Sequence, residues 1–151
     1  LLLLVAFSLH AAKKNSQPII EKSFAPLEAA KTMQVPKGFN VTLFAGEPDI
    51  KQPIGFCIDD RGRLWVADAN NYPDKKAGKN DRIIILEDTD GDGTHDKRIV
   101  FYDKLEYICG IEVGFGGVWV MSLPNFYFIP DKNYDGAVSY THLTLPTLYS
   151  V

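Results

Sequence analysis

From Ile54 onward the chain alternates short apolar runs with polar turns. The runs are Ile54–Ile58, Arg63-Leu64-Trp65-Val66-Ala67, Ile83–Glu87, Lys97–Tyr102, Ile108–Val113, Gly117-Val118-Trp119-Val120-Met121 and Phe126–Ile129. Each is four to six residues long, rich in β-branched and aromatic side chains, and bounded by Gly, Asp, Asn or Pro. That pattern predicts strands. Ahead of them, Phe39-Asn40-Val41-Thr42-Leu43-Phe44-Ala45 alternates and predicts a further strand. Pro26–Met33 predicts about two helical turns, with Pro26 suited to the first helical position and Pro36 ending the element. Long 3.6-periodic segments are nearly absent, so the expected fold class is all-β.

The runs repeat. Trp65 and Trp119 are 54 positions apart, as are Gly62 and Gly116. Asp88 and Asp131 are 43 apart, as are Gly93 and Gly136. The difference of 11 is assigned to Asn70–Asn80, an insertion between the second and third strands of the first unit. A four-stranded unit of roughly 40–50 residues has the period of a β-propeller blade. An antiparallel meander in a sandwich is the competing arrangement, and the repeated Gly-x-Leu/Val-Trp-Val favours the propeller. A blade buries its faces only against neighbours. The expectation is therefore a propeller fragment over 38–137, about two four-stranded blades, whose edges need the missing blades of the same chain.

The ends read differently. Residues 1–12 (Leu1-Leu2-Leu3-Leu4-Val5-Ala6-Phe7-Ser8-Leu9-His10-Ala11-Ala12) are too short to span a bilayer. They have the character of a signal-peptide h-region, with a buried strand or helix as the alternative. Export predicts an oxidising, calcium-rich setting, periplasmic or membrane-associated in a bacterium. Any membrane association would come through parts beyond this sequence. Residues 13–37 read as a linker and the short helix. Residues 138–151 contain no Asp, Glu, Lys or Arg. They resemble translated adapter read-through and are expected to be a non-native tail, with a final strand as the alternative. The sequence reads as a piece cut at both ends.

With 151 residues there is room for about one domain. The net charge of −3, with no basic stripe, argues against nucleic acid as a partner.

Chemistry concentrates in Asp88-Thr89-Asp90-Gly91-Asp92-Gly93-Thr94-His95-Asp96, between two predicted strands. Alternating carboxylates with a following glycine can wrap a hard cation in oxygen. In EF-hand spacing the donors are Asp88, Asp90, Asp92, the Thr94 carbonyl and Asp96, with Gly93 at the sixth place. The twelfth place is Ile99, which has no carboxylate, and strands replace the flanking helices. The expectation is a compact structural Ca²⁺ loop within a hairpin; a solvated polar turn is the alternative. Asp131, Asn133 and Asp135, followed by Gly136, repeat the pattern more weakly. His95 is expected to be exposed.

Cys57 and Cys109 lie on the first strands of their units, out of register, since Cys57 aligns with Ile111. Buried free thiols are expected, with a disulfide as the alternative. No Cys-x-x-Cys-His occurs, so no c-type haem is expected to attach within this chain. Asp68, Asn70, Asn71 and Tyr72 follow a strand and open the insertion. They form the candidate pocket loop for a small-molecule or carbohydrate ligand.

Taken in order, Val35-Pro36-Lys37-Gly38-Phe39, Leu43-Phe44-Ala45-Gly46-Glu47-Pro48, Pro53-Ile54, Asp59-Asp60-Arg61-Gly62-Arg63-Leu64-Trp65-Val66, Tyr72-Pro73 and Ile83 to Gly93 resemble a known family. It is the amino-terminal propeller of the large membrane-bound dehydrogenase proteins of Planctomycetes and related bacteria, from about Pro26 to Gly136. One departure is Asp68, where that family more often has Glu. The resemblance implies similarity to soluble quinoprotein glucose/sorbosone dehydrogenases, frequently with a fused c-type haem domain. It implies oxidation of a sugar or alcohol in the full-length protein, with electrons passed to haem. Pyrroloquinoline quinone (PQQ) or haem would bind only there, on parts this chain lacks, and the chain alone would be inactive. The rival expectation is a non-catalytic, calcium-stabilised propeller that binds carbohydrate or protein.

Overall fold

The computed structural model describes residues 24–72 and 80–139. The signal-like segment 1–12, residues 13–23 of the linker, residues 73–79 of the insertion, and the chain from 140 lie outside the described residues. The elements are α1 (Pro26–Thr32), β1 (Pro53–Ile58), β2 (Leu64–Asp68), β3 (Asp81–Glu87), β4 (Lys97–Leu105), β5 (Ile108–Val113), β6 (Gly117–Ser122) and β7 (Asn125–Pro130). Pro26 opens α1, with Glu28 in the first turn and Lys31 in the last, matching the helix dipole at both ends. Among the described residues no helix is long and apolar enough to cross a membrane.

All strand pairing is antiparallel, in two sheets ordered β1-β2-β3-β4 and β5-β6-β7. The fold is therefore all-β apart from α1. The second sheet has three strands among the described residues rather than four. A fourth would follow the second acidic loop, and the described residues end at 139, just past Gly136.

The pairing shows the repeat in space. Trp65 stands between Cys57 and Ile85, and Trp119 between Glu112 and Phe128. Second strands are thus offset by 54 positions and third strands by 43. The difference lies in the β2–β3 link, which spans 69–80 in the first sheet and only Leu123-Pro124 in the second. First strands are offset by 55, because the β1–β2 turn holds residues 59–63 and the β5–β6 turn only 114–117. Cys57 therefore corresponds to Glu112, one place from the Ile111 that tryptophan spacing alone indicates.

The shorter turn explains its own sequence. Gly114 and Gly117 exchange backbone hydrogen bonds, leaving Phe115 and Gly116 as the central pair at φ 56° and 76°. A two-residue hairpin turn of this kind needs positive φ at both places to match the strand twist.

β3 is the centre of the packing. Ile83, Ile84, Ile85 and Leu86 are all fully buried, so both faces of this strand are covered. Each such side chain contributes roughly 1.5–3 kcal/mol relative to exposure. On one face Trp65, Ala67, Ile83, Ile85 and Phe101 pack with Val118, Val120, Ile108 and Ile129 of the second sheet. β1 and β5 run closest, and a methyl added at Gly55 would lie 3.9 Å from the Gly110 Cα. On the other face Val66, Ile84 and Leu86 pack with Phe44, Ala45 and Ile50.

That second contact corrects the expected strand at 39–45. The segment has no regular structure. It lies as an arm across the face of a sheet, not along its edge, so no strand is available to pair with it. Its carbonyls go to the acidic loop instead.

Candidate functional site

The β3–β4 turn is built by its own aspartates. Asp88 Oδ1 accepts from the Gly91 and Asp92 N–H groups at 2.7 and 3.2 Å, and Oδ2 from the Gly93 N–H at 2.8 Å. These backbone bonds, led by Gly93, hold the Asp88 carboxyl below the usual carboxylate range. Asp90 Oδ1 accepts from Asp92 N–H, and Asp92 Oδ1 from Thr94 N–H. Asp96 Oδ2 closes the loop by accepting from the backbone and hydroxyl of Thr89 at 3.0 and 2.7 Å. Gly91 and Gly93 take φ of 78° and 90°, which is why glycine stands at both places.

Of the predicted donors, Asp88, Asp90 and Asp96 come together, each offering an oxygen within 4.8 Å of the others. Oxygens at that separation can all reach one Ca²⁺ at about 2.3–2.6 Å. Asp92 is not part of that group of carboxylates: it turns toward the Thr94 N–H. The Thr94 hydroxyl donates to Leu43 O at 3.4 Å, tying the loop to the segment before it. The three converging carboxylates are the core of what the loop can offer a cation.

The loop also fastens the arm. His95 N–H donates to Phe44 O at 3.1 Å, and His95 Nδ1 lies 2.7 Å from the same oxygen. His95 Nε2 is 3.3 Å from Asp49 Oδ2, and Arg98 Nε donates to Asp49 O. His95 is therefore largely buried against the arm rather than exposed, because the arm crosses the face beside the turn.

The second loop is arranged differently. Asp131 is 2% exposed, against the half-buried Asp88 it repeats. Its Oδ2 accepts from Gly136 N–H at 3.2 Å, while Oδ1 is buried with no hydrogen-bond partner among the described residues. Asn133 donates its amide to Asp135 Oδ2, and Asp135 Oδ1 accepts from Ala137 N–H. Val138 packs at the rim of the core, and Ser139 bonds back to Pro130 O and Lys132 N–H.

At the other end of the sheet, Asp68 is fully buried. Its Oδ1 accepts from Lys51 and Gln52 N–H at 3.1 and 2.7 Å, and its Oδ2 meets Arg82 Nε and Nη2 at 2.8 and 2.7 Å. Asp68 thus fixes β1's approach and aims the guanidinium. Asn71 is buried, its N–H donating to Asp81 Oδ1, and Asp81 Oδ2 accepts from Ile108 N–H, joining the sheets. Tyr72 is exposed. Asn70 does border a cavity of about 400 Å³, with Lys51, Asn80, Arg82, Val100 and Asp103. So Asn70 reaches a pocket, while Asp68 and Asn71 support its wall. Lys51, Arg82 and Asp103 escape the sequence reading because they sit on strands or beyond, far from Asn70 along the chain.

Asp59 is equally hidden. Burial pushes its carboxyl up, but hydrogen bonds from the Trp65 indole and from Arg63, together with the Arg63 charge, hold it below the usual range. Its place at the head of Asp59-Asp60-Arg61-Gly62 is the one signal, since Asp at a turn start bonds the backbone ahead of it. Both cysteines are free thiols. Cys57 is half-buried, and desolvation raises its thiol to about 11. Cys109 is exposed rather than buried, because β5 bulges between Ile108 and Gly110.

One family matches this arrangement: DUF7133, described as a domain of unknown function, over residues 25–144. The chain belongs to the DUF7133 family. The DUF7133 match takes in α1, the arm, both sheets and both acidic loops. No curated protein and no solved structure matches the chain.

Proposed function

We propose that the two sheets are successive blades of a β-propeller, belonging to an exported sugar or alcohol dehydrogenase of the quinoprotein-like kind. The observation that carries the blade reading is the repeated register, with Trp65 and Trp119 in the same place of sheets that stack face to face. In this reading the chain supplies scaffold. Substrate oxidation, and the PQQ and haem that would accept electrons, belong to the full-length protein in the periplasm or at the membrane. Ca²⁺ held by Asp88, Asp90 and Asp96 is a staple of the hairpin. The test is quinone-dependent dye reduction by the protein expressed from its complete gene, across sugars and alcohols. Turnover supports the reading, and its absence with quinone bound overturns the dehydrogenase assignment.

The polar cavity favours a second reading, a non-catalytic propeller that binds carbohydrate. Amides of Asn70 and Asn80, the charges of Lys51, Arg82 and Asp103, and the apolar side chain of Val100 suit a hydroxyl-rich ligand. Calorimetric titration with oligosaccharides, in the absence of dye reduction, would support it. Loss of binding in Asn70→Ala would locate it.

A further inference from the structure

The second acidic loop copies the first along its backbone. Tyr134 and Gly136 take φ of 58° and 81°, where Gly91 and Gly93 take 78° and 90°. Gly136 N–H donates to Asp131 Oδ2 as Gly93 N–H does to Asp88 Oδ2. Ala137 N–H donates to Asp135 as Thr94 N–H does to Asp92. Lys132 N–H meets Ser139 Oγ where Thr89 N–H meets Asp96 Oδ2. The copy breaks at the other oxygen of the first aspartate. Asp88 Oδ1 accepts from the Gly91 and Asp92 N–H groups. Tyr134 N–H, in the place of Gly91, donates instead to the Asp131 main-chain carbonyl at 3.3 Å. Asp131 Oδ1 is left buried, with no hydrogen-bond partner among the described residues. A carboxylate oxygen in that condition is strongly disfavoured unless a donor reaches it.

Asp131 borders a cavity of about 10 Å³ between the sheets. Its wall is Asp59, Asp60, Arg63 and Trp65 on the side of the first sheet, and Asp131 and Tyr134 on the side of the second loop. Asp131 and Arg63 are 2% and 4% exposed, so bulk solvent does not hydrate them. The volume limits the occupant. A single water needs roughly 10–15 Å³ and two to four polar partners. Carboxylates in the wall exclude an anion. Arg63 in the wall opposes a metal ion, and both Asp59 oxygens are already taken by the donors of Arg61, Arg63 and Trp65. The carboxylates of Asp59, Asp60 and Asp131 do not converge as those of Asp88, Asp90 and Asp96 do.

We propose that this cavity is a binding site for one water molecule, which donates to Asp131 Oδ1 and ties the second acidic loop to the turn of the first sheet. Arg63, Asp60 and Tyr134 supply the polar groups for its other bonds. Arg63 stands close against the loop, since a methyl added at Gly136 would lie 3.7 Å from its Nη1. At this end the sheets then meet through a direct bond, Arg61 to Tyr134 O at 2.8 Å, and through a bridging water beside it. Such a bridge is enthalpically nearly as good as a direct hydrogen bond. The inference needs only the contact between the two sheets and is independent of the blade reading.

The test is water–protein NOE and ROE spectroscopy on the whole ¹⁵N-labelled chain. A long-held buried water gives NOE and ROE cross-peaks of opposite sign, whereas surface hydration gives the same sign. Opposite signs are expected at the Trp65 indole N–H and the Gly117 amide, both at the cavity. Asp131→Leu removes the acceptor and should abolish both peaks while β-sheet circular dichroism is kept. Should that variant fail to fold, a crystal structure of the parent chain decides. It should show one water about 2.5–3.2 Å from Asp131 Oδ1. Parent spectra without opposite-sign peaks, or peaks that survive in folded Asp131→Leu, overturn the inference. So does an ion about 2.3–2.6 Å from that oxygen, or a protein donor bonded to it.

Discussion

Replacing Asp59 by Asn tests the hydrogen-bond hub that joins the first hairpin. Asp59 Oδ1 accepts from Arg61 and Arg63 N–H at 3.0 and 2.9 Å. Oδ2 accepts from Arg63 Nε at 2.7 Å and Trp65 Nε1 at 2.9 Å. The carboxylate and guanidinium side chains are 3% and 5% exposed, so water replaces neither. Asparagine keeps one carbonyl oxygen for the backbone donors but puts an NH₂ against two other donors. Removing one member of a buried pair costs about 3–5 kcal/mol. That is a large share of the ~5–15 kcal/mol by which a domain is stable. Urea unfolding followed by tryptophan fluorescence should show the unfolding free energy falling by that amount, through a lower midpoint with the slope unchanged. The pH dependence carries a second signature. The folded carboxyl lies below its unfolded value of about 3.9, so its contribution is complete at neutral pH and is lost as pH falls below ~4. The stability difference between parent and variant should therefore shrink in acid. A loss under ~1 kcal/mol at pH 7, or a difference that does not change with acidification, refutes the hub.

Gly117→Ala should be strongly destabilising, because the new methyl meets Phe128 Cζ at 2.8 Å and Pro130 Cα at 2.9 Å as well as the Ile129 carbonyl; unchanged urea stability would contradict it. Phe115→Asn should raise stability by about 1 kcal/mol, since Phe115 is 95% exposed at φ 56° and Asn tolerates positive φ better; a fall in the midpoint would count against this. Ca²⁺ at a hundredfold its dissociation constant should raise stability by ~2.7 kcal/mol. Asp90→Asn should weaken that gain, and a calorimetric titration without heat would remove the ion from the scheme. Cys109 should react with a disulfide reagent at neutral pH far faster than Cys57, whose thiol is raised to about 11 by burial, and equal rates would contradict the difference.

The strands are legible in the sequence because their apolar runs are short and their turns strongly marked. Ile83-Ile84-Ile85-Leu86 reads as a strand, and it is one; that both its faces are buried is a finding of the structure. The arm is not legible. Its alternation in Phe39–Ala45 is the same signal an edge strand gives, and only tertiary packing decides whether such a segment pairs or lies across a face. The acidic loop is visible as a donor series, but not which donors converge. Asp90 and Asp92 each accept from the backbone N–H two residues ahead, yet only Asp90 converges with Asp88 and Asp96. Asp59, Asp81 and Arg82 are invisible as a class: single charged residues on strands or turns, whose partners are far along the chain or set by burial.

Repetition here preserves position more faithfully than use. Asp68 and Ser122 both end a second strand, and both fix the segment entering the first strand. Asp68 does so by accepting from Lys51 and Gln52 N–H, Ser122 by donating its hydroxyl to Glu106 O. Asp88 and Asp131 open equivalent loops, yet one organises a half-buried donor cluster and the other is buried beside the first sheet's turn. The difference follows from neighbours. The loop of the first sheet faces the arm, while the Asp131 loop faces the Asp59–Arg63 turn, where Arg61 donates to Tyr134 O at 2.8 Å and stands 5.5 Å over its ring. A residue's place in the repeat therefore tells which strand end it occupies. What it meets is decided by whichever element the stacking brings against that end: in the second loop the Tyr134 carbonyl and ring meet Arg61 of the first sheet, while Asp131 and Asp135 accept from Gly136, Asn133 and Ala137 of their own loop.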